Sequence, residues 1–203
     1  MNSTTFHPTP PVVPPVQNID NKGNPPQLNN RYILPFDPRP YPEVTATAPD
    51  PETVAMLKQD YAGMGSELTA ITQYIFQNNS SDDETFANAM LQVAIVEMTH
   101  LDMLGDAIHT LGGTTEFNAD NKWWTAENVN YSLPRADMLR ANIQAEQGAI
   151  DSYEKHARAT KNESVRALLL RIADDERLHK AFFEGLLQEE LVRQNNNTHI
   201  AVG

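Results

Sequence analysis

Glu67-Leu68-Thr69-Ala70-Ile71-Thr72-Gln73-Tyr74 returns 79 residues later as Glu146-Gln147-Gly148-Ala149-Ile150-Asp151-Ser152-Tyr153. Both stretches read Glu-x-x-Ala-Ile-x-x-Tyr. Thirty residues after each leading glutamate stands a Glu-x-x-His: Glu97-Met98-Thr99-His100 in the first half, Glu176-Arg177-Leu178-His179 in the second. The two halves align without a gap. A repeat of this kind implies two similar hairpins related by a pseudo-twofold axis, on which side chains from both halves can converge.

Around these motifs the apolar residues recur in steps of three and four, the spacing of a buried helical face. One seam runs Phe86, Met90, Val93, Glu97, His100, Leu104, Ile108, Leu111. Another runs Val165, Leu169, Ile172, Glu176, His179, Phe183, Leu186. The shorter seams are Met64, Glu67, Ile71, Tyr74 and Leu139, Ile143, Glu146, Ile150, Tyr153. The charged residues therefore occupy core positions inside the seams. An uncompensated carboxylate in such a place costs several kcal/mol, on the order of the effective penalty for a buried ion. Four carboxylates balance the charge of two divalent cations, and two neutral imidazoles complete the shells. Hard oxygen with imidazole nitrogen suits iron or manganese. A single Glu-x-x-His is ordinarily a solvated pair; two of them, each on a seam and each preceded by another seam glutamate, are the arrangement of a two-metal helical site. The candidate ligands are Glu67, Glu97, His100, Glu146, Glu176 and His179. Tyr74 and Tyr153, two turns from Glu67 and Glu146, could donate to the carboxylates, and Asp175 could reach a ligand histidine, although the Asp174-Asp175 pair reads as mostly solvated. His109 and His156 have no partner in the repeat and read as surface residues. Trp123 and Trp124 read as pins for a loop or as part of a subunit contact.

The helices follow from start and stop signals. Asp50-Pro51-Glu52 opens a first helix over 51–78. Ser81 and Glu84 form a capping box for a second, over 82–111, closed by Gly112-Gly113. Residues 113–133 connect it to a third helix opened by Ser132 and Pro134 and running to 160. A fourth spans 163–193. The two short connections make antiparallel pairs, and the long one crosses the bundle from end to end. The fold expected is all-α: two antiparallel hairpins joined by a long crossover. Residues 1–45 hold eleven of the fourteen prolines, so 1–49 is expected to be a disordered or extended Pro-rich arm, solvated or laid over the bundle. Residues 50–193 form the bundle and 194–203 a flexible tail.

Composition narrows the chemistry. There is no cysteine among the 203 residues, which excludes disulfide frameworks and thiolate metal sites. The net charge of −12 argues against nucleic acid and for small cations. No segment is long and apolar enough to span a membrane, and no secretory signal is visible, so the expected location is the cytoplasm.

At these residues the sequence resembles the ferritin-like di-iron carboxylate family. Residues 67–74 look like the first-helix motif of bacterioferritins. Glu97-Met98-Thr99-His100 followed by Leu111-Gly112-Gly113 looks like their second-helix motif. Asp175-Glu176-Arg177-Leu178-His179 is similar to the fourth-helix motif shared with rubrerythrins. The likeness covers roughly residues 50–190. It implies a ferritin-like four-helix bundle in which Glu97 and Glu176 bridge two iron ions, Glu67 and His100 complete one shell, and Glu146 and His179 the other. The implied activity is ferroxidase: Fe(II) oxidised to Fe(III) by O₂ or peroxide for iron storage or detoxification. The cysteine-bound iron domain usual in rubrerythrins is missing. Met98 stands where bacterioferritins bind haem between subunits, but it reads as packing and no haem is expected. In place of the fifth helix of cage-forming ferritins the chain has a polar linker and His199-Ile200-Ala201-Val202-Gly203. That ending is similar to the tail of an encapsulin cargo protein, which implies an encapsulin shell as partner and compartment. A homodimer is the default assembly. The alternatives are a manganese catalase, which dismutates peroxide on a related ligand set generally lacking one of the four carboxylates, and a structural bundle with a vestigial site.

Overall fold

A computed structural model describes residues 35–200, with side chains through 196. The Pro-rich residues 1–34 and the last three residues, 201–203, lie outside it, so the reading of most of the arm and of the extreme tail falls on residues not described. Five α-helices are present among the described residues: α1 (Pro51–Ala62), α2 (Glu67–Ser80), α3 (Glu84–Thr110), α4 (Arg135–Ala159) and α5 (Glu163–Ile200).

The expected first helix is broken in two. Its turns stop at Ala62 because the backbone becomes extended at Gly63, whose missing Cβ would stand 2.4 Å from the carbonyl oxygen of Gln59. Gly63-Met64-Gly65 carries the chain out, and α2 starts afresh after Ser66. Met64, assigned to the buried seam, lies in this break and is exposed. Glu67 consequently opens a helix instead of sitting in the middle of one.

The caps follow local chemistry. The Asp50 carboxylate accepts from Thr53 N at 3.0 Å and from Thr53 Oγ1 at 2.7 Å, with Pro51 behind it where no amide hydrogen is needed. The cap of α3 is Asp83 and not Ser81. Its Oδ1 accepts from Thr85 N and Phe86 N, while Ser81 Oγ accepts from Asp83 N one step earlier. Asp83, unlike the neutral Ser81, brings a negative charge to the positive helix start, and it is also paired with Arg135 at the head of α4. The end of α3 winds into Gly112 at φ +82°, and Gly113 N reaches back to Ile108 O at 2.8 Å. Asn162 caps α5 through Ser164 N and Val165 N, and Arg166 stitches α5 to Ala157 O in the last turn of α4 and to Thr160 O just beyond it. The last helix continues to Ile200, beyond the end expected at 193. No glycine or proline stops it, and Arg193 and Gln194 bond back to Glu190.

Short turns at 81–83 and 160–162 make α2 and α3 one hairpin and α4 and α5 another. Asp50 N donates to Leu111 O and Thr53 meets Thr160 through their hydroxyls, so the start of α1 and the ends of α3 and α4 share one end of the bundle. Arg135 pairs with Asp83 and Glu190 at the other end. The chain between α3 and α4 must therefore cross the whole length, as expected for a ferritin-like topology. It carries a small antiparallel hairpin, β1 (Asn118–Ala119) with β2 (Lys122–Trp123), turned by Asp120 and Asn121, both left-handed at φ 50° and 59°. It is fastened to α2 by Trp124 Nε1 donating to Thr69 Oγ1 at 2.9 Å, by Asn130 N donating to Gln73 Oε1 and by Tyr131 edge-on to Phe76. Trp124 is the pin; Trp123 is exposed.

Two apolar clusters fill the interior. One gathers Leu57, Leu104, Ile108, Val165, Leu169 and Ile172; the other gathers Tyr74, Phe86, Met90, Val93, Leu139 and Phe183. On α3 and α5 the Glu-x-x-His motifs fall between the residues of the two clusters. The interior is thus apolar at both ends with a charged layer in between.

Candidate metal centre

Six side chains form that layer. Glu67 comes from the first turn of α2, Glu97 and His100 from the middle of α3, Glu146 from α4, and Glu176 and His179 from α5. All are at most 4% exposed. They fall into two overlapping sets, Glu67, Glu97, His100, Glu176 and Glu97, Glu146, Glu176, His179. Within each, one nitrogen or oxygen per residue lies within 4.8 Å of all the others. Glu97 and Glu176 belong to both sets. His100 Nδ1 lies 2.9 Å from Glu97, 3.1 Å from Glu176 and 3.7 Å from Glu67. His179 Nδ1 lies 3.0 Å from Glu176, 3.0 Å from Glu97 and 3.8 Å from Glu146. The repeat of the sequence is thus a repeat of distances.

The tyrosines act across the hairpins. Tyr74 on α2 donates to Glu146 on α4, and Tyr153 on α4 donates to Glu67 on α2. Each repeat supplies the hydrogen bond that orients the other repeat's outer carboxylate.

The charges press on one another. Burial pushes the Glu67 and Glu146 carboxyls well above the usual range, and the neighbouring Glu97 and Glu176 push them further. Burial alone would lower both histidines, yet the surrounding carboxylates outweigh it and raise them well above an ordinary imidazole. At Glu176 burial works upward, but the two imidazoles prevail and hold the carboxyl below its ordinary value. Even so, Glu97 Oε1 and Glu176 Oε1 are buried and accept no well-directed hydrogen bond. Oxygens shared between two sets, 3.0 and 3.1 Å from imidazole nitrogens in an acidic layer, fit a pair of divalent cations such as iron or manganese.

Around this layer stand groups the sequence reading missed or misjudged. Asp175, read as mostly solvated, is fully buried. Its Oδ2 lies 3.1 Å from His100 Nε2, and its Oδ1 accepts from Asp37 N at 2.6 Å and pairs with Arg171 at 2.8 Å. Tyr41, from the end of the Pro-rich arm, donates to Asp175 Oδ2 at 2.5 Å and comes within 3.3 Å of His100 Nε2. Burial, first, and Asp175 raise its hydroxyl to about 12 although His100 opposes them, so it stays protonated. Nothing in a Pro-Tyr-Pro stretch without helical periodicity announces such a contact. His156 is not a surface residue: it is buried, with Nδ1 2.7 Å from Asp60 Oδ2, while Ser152 Oγ donates to Asp60 Oδ1 at 2.6 Å. Here a signal existed, because His156 lies three residues beyond Tyr153 on the same seam. His109 is exposed, as expected. A cavity of about 40 Å³ lies between α2 and α4. It is lined by Glu67, Glu97, Glu146, Glu176 and both tyrosines, and reaches Asp60, Gly65 and Ser66 beside the α1–α2 break.

Comparison with known proteins places the fold among ferritin-like domains. A family model for the ferritin-like domain matches residues 61–192. Among curated proteins, the encapsulin nanocompartment cargo protein EncC of Myxococcus xanthus (strain DK1622) is 44% identical over 52 residues, 26% of this chain. That match spans only 40% of the relative's length. Among solved structures, KatB, a manganese catalase from Anabaena PCC7120, superposes with a TM-score of 0.70 at 24% identity over 76% of this chain and 79% of that one. The di-iron bacterioferritin of Desulfovibrio desulfuricans superposes with a TM-score of 0.61 at 23% identity over 74% and 85%. At these identities the structural likenesses speak for the fold.

Proposed function

Because this chain belongs to the ferritin-like family, we propose that its buried layer holds two iron ions and works as a ferroxidase, oxidising Fe(II) to Fe(III) with O₂ or peroxide. The observation that carries the reading is the symmetric sharing of Glu97 and Glu176 between both histidines. A site that keeps both shared carboxylates and both outer ones can neutralise two divalent ions. Bound there, two Fe(II) ions supply one electron each to the oxidant. The chain's own residues do the rest. Glu67 and His100 hold one ion and Glu146 and His179 the other. Tyr153 and Tyr74 keep the outer carboxylates aimed inward. The apolar clusters above and below exclude bulk water. The cavity beside the α1–α2 break has room for a small oxidant and a water or two.

Likeness to EncC supports a second part of the reading: the protein is carried inside an encapsulin shell, docked by its C-terminal residues, His199 to Gly203. Removing residues 194–203 should leave iron oxidation intact and abolish co-purification with a co-expressed shell; unchanged co-purification would refute the docking role. Dimerisation is read from the family and is checked by sedimentation.

The activity test is direct. Protein prepared metal-free and given Fe(II) in air should oxidise about two Fe(II) per chain in a fast phase, well above the protein-free rate. The Glu97→Ala, Glu176→Ala double variant should lose that phase. If Fe(II) oxidises no faster than in buffer while the manganese-loaded protein dismutates peroxide, the catalase reading replaces this one.

A further inference from the structure

The two halves of the centre repeat in their ligands but not in what stands behind them. For a histidine to offer Nδ1 to a metal its proton must sit on Nε2. At His100 that proton has an acceptor, Asp175 Oδ2, 3.1 Å away. Asp175 is itself fixed by Tyr41, by Asp37 N and by Arg171. At His179 the Nε2 is fully buried and has no hydrogen-bond partner among the described residues. The repeat offset explains the difference, since the position equivalent to Asp175 is Val96, which cannot accept, and that of Arg171 is Gln92. Tyr41 has no counterpart because it arrives from outside the repeat. Residues 37–41 are pinned across α5: Arg171 donates to Asp37 O and Arg39 O, Arg39 pairs with Asp174 at 2.5 Å, and the Arg171 guanidinium lies 4.2 Å from the Tyr41 ring centre.

We propose that Tyr41, delivered by the segment 37–41 and acting through Asp175, is a positioning residue that makes the two metal positions unequal: the Glu67–His100 position binds first and tightly, and the Glu146–His179 position is the exchangeable one. The inference rests on the two-metal reading above. A buried acceptor behind a ligand histidine fixes its tautomer and ring angle, and its loss ordinarily costs about 10–100-fold in metal affinity. The same lack is built into the His179 side. An exchangeable position beside a firmly held one would let oxidised iron leave without emptying the centre.

Anaerobic titration of the metal-free full chain with Co(II), followed by its visible absorption bands, tests this. The wild type should show two steps separated by about tenfold or more. Glu146→Gln should remove the weaker step and so assign it. Tyr41→Phe, which keeps the ring against Arg171, and Asp175→Asn should weaken the tight step alone, drawing the two together and altering its bands. Val96→Asp should strengthen the weak step, and it answers the question even where Asp175→Asn folds poorly. Two equal steps in the wild type, or equal weakening of both steps by Tyr41→Phe, would overturn the inference and leave the two-metal reading standing. No Co(II) bound at all would overturn both.

Discussion

At the scale of single residues the protein behaves as a set of reciprocal contacts. Tyr153→Phe removes the donor to Glu67 and should weaken metal binding at that carboxylate by about tenfold while leaving the fold intact, a change that calorimetric titration would register. The Asp60–His156 pair is a separate buried unit. His156→Ala leaves the Asp60 carboxylate buried beside Ser152 alone, and should cost about 3 kcal/mol in urea unfolding; a loss below about 1 kcal/mol would mean the pair is structurally idle. The six side chains of the buried layer are legible in the sequence because repetition and seam position coincide at Glu67, Glu97, His100, Glu146, Glu176 and His179. Tyr41 is not, because the contact is made across more than a hundred residues of chain to Asp175 by a segment without periodicity. Asp175 is half-legible: its adjacency to Glu176 is in the sequence, but the strap that buries it is not.

At the scale of elements, periodicity read α3 and α4 closely and placed the crossover, since three- and four-residue steps report a buried face wherever a helix packs. It failed in the first helix, where Gly63 and Gly65 interrupt a pattern that otherwise continues in phase. The break has a consequence for the site, since it sets Glu67 at a helix start beside the cavity. Gly63→Ala puts a Cβ against the Gln59 carbonyl, so α1 must shift. The variant should lose about 1–3 kcal/mol of stability and loosen the Glu67 side of the centre more than the Glu146 side. The choice of Asp83 over Ser81 as cap shows the same limit: local rules name the candidates, and Arg135, arriving from α4, decides between them.

At the scale of the whole molecule the governing fact is a buried acidic layer in a chain of net charge −12. Without metal, the raised His100, His179, Glu67 and Glu146 hold more protons in the folded state than in the unfolded one over a common range of pH. Stability from the histidines is therefore full below about pH 6.5 and is lost as pH rises through their folded values; for the two glutamates the loss begins above about pH 4.5. Glu176 has the opposite sign, but its window lies below pH 4.5 and does not touch the neutral range. The metal-free protein should accordingly melt at a lower temperature at pH 9 than at pH 6. Divalent ions displace these protons, so the rise in melting temperature on adding Fe(II) anaerobically or Mn(II) should grow with pH across the same range. A metal-free melting temperature that climbs from pH 6 to 9 would contradict the charge arrangement. On the function proposed above, the inward carboxylates and imidazoles hold a pair of ions. Anomalous difference maps of iron-loaded crystals, collected across the iron edge, address it most directly. Two peaks are expected between Glu97 and Glu176, one against Glu67 and His100 and the other against Glu146 and His179. A single peak, or density elsewhere with these six side chains bonded only to one another, would contradict it.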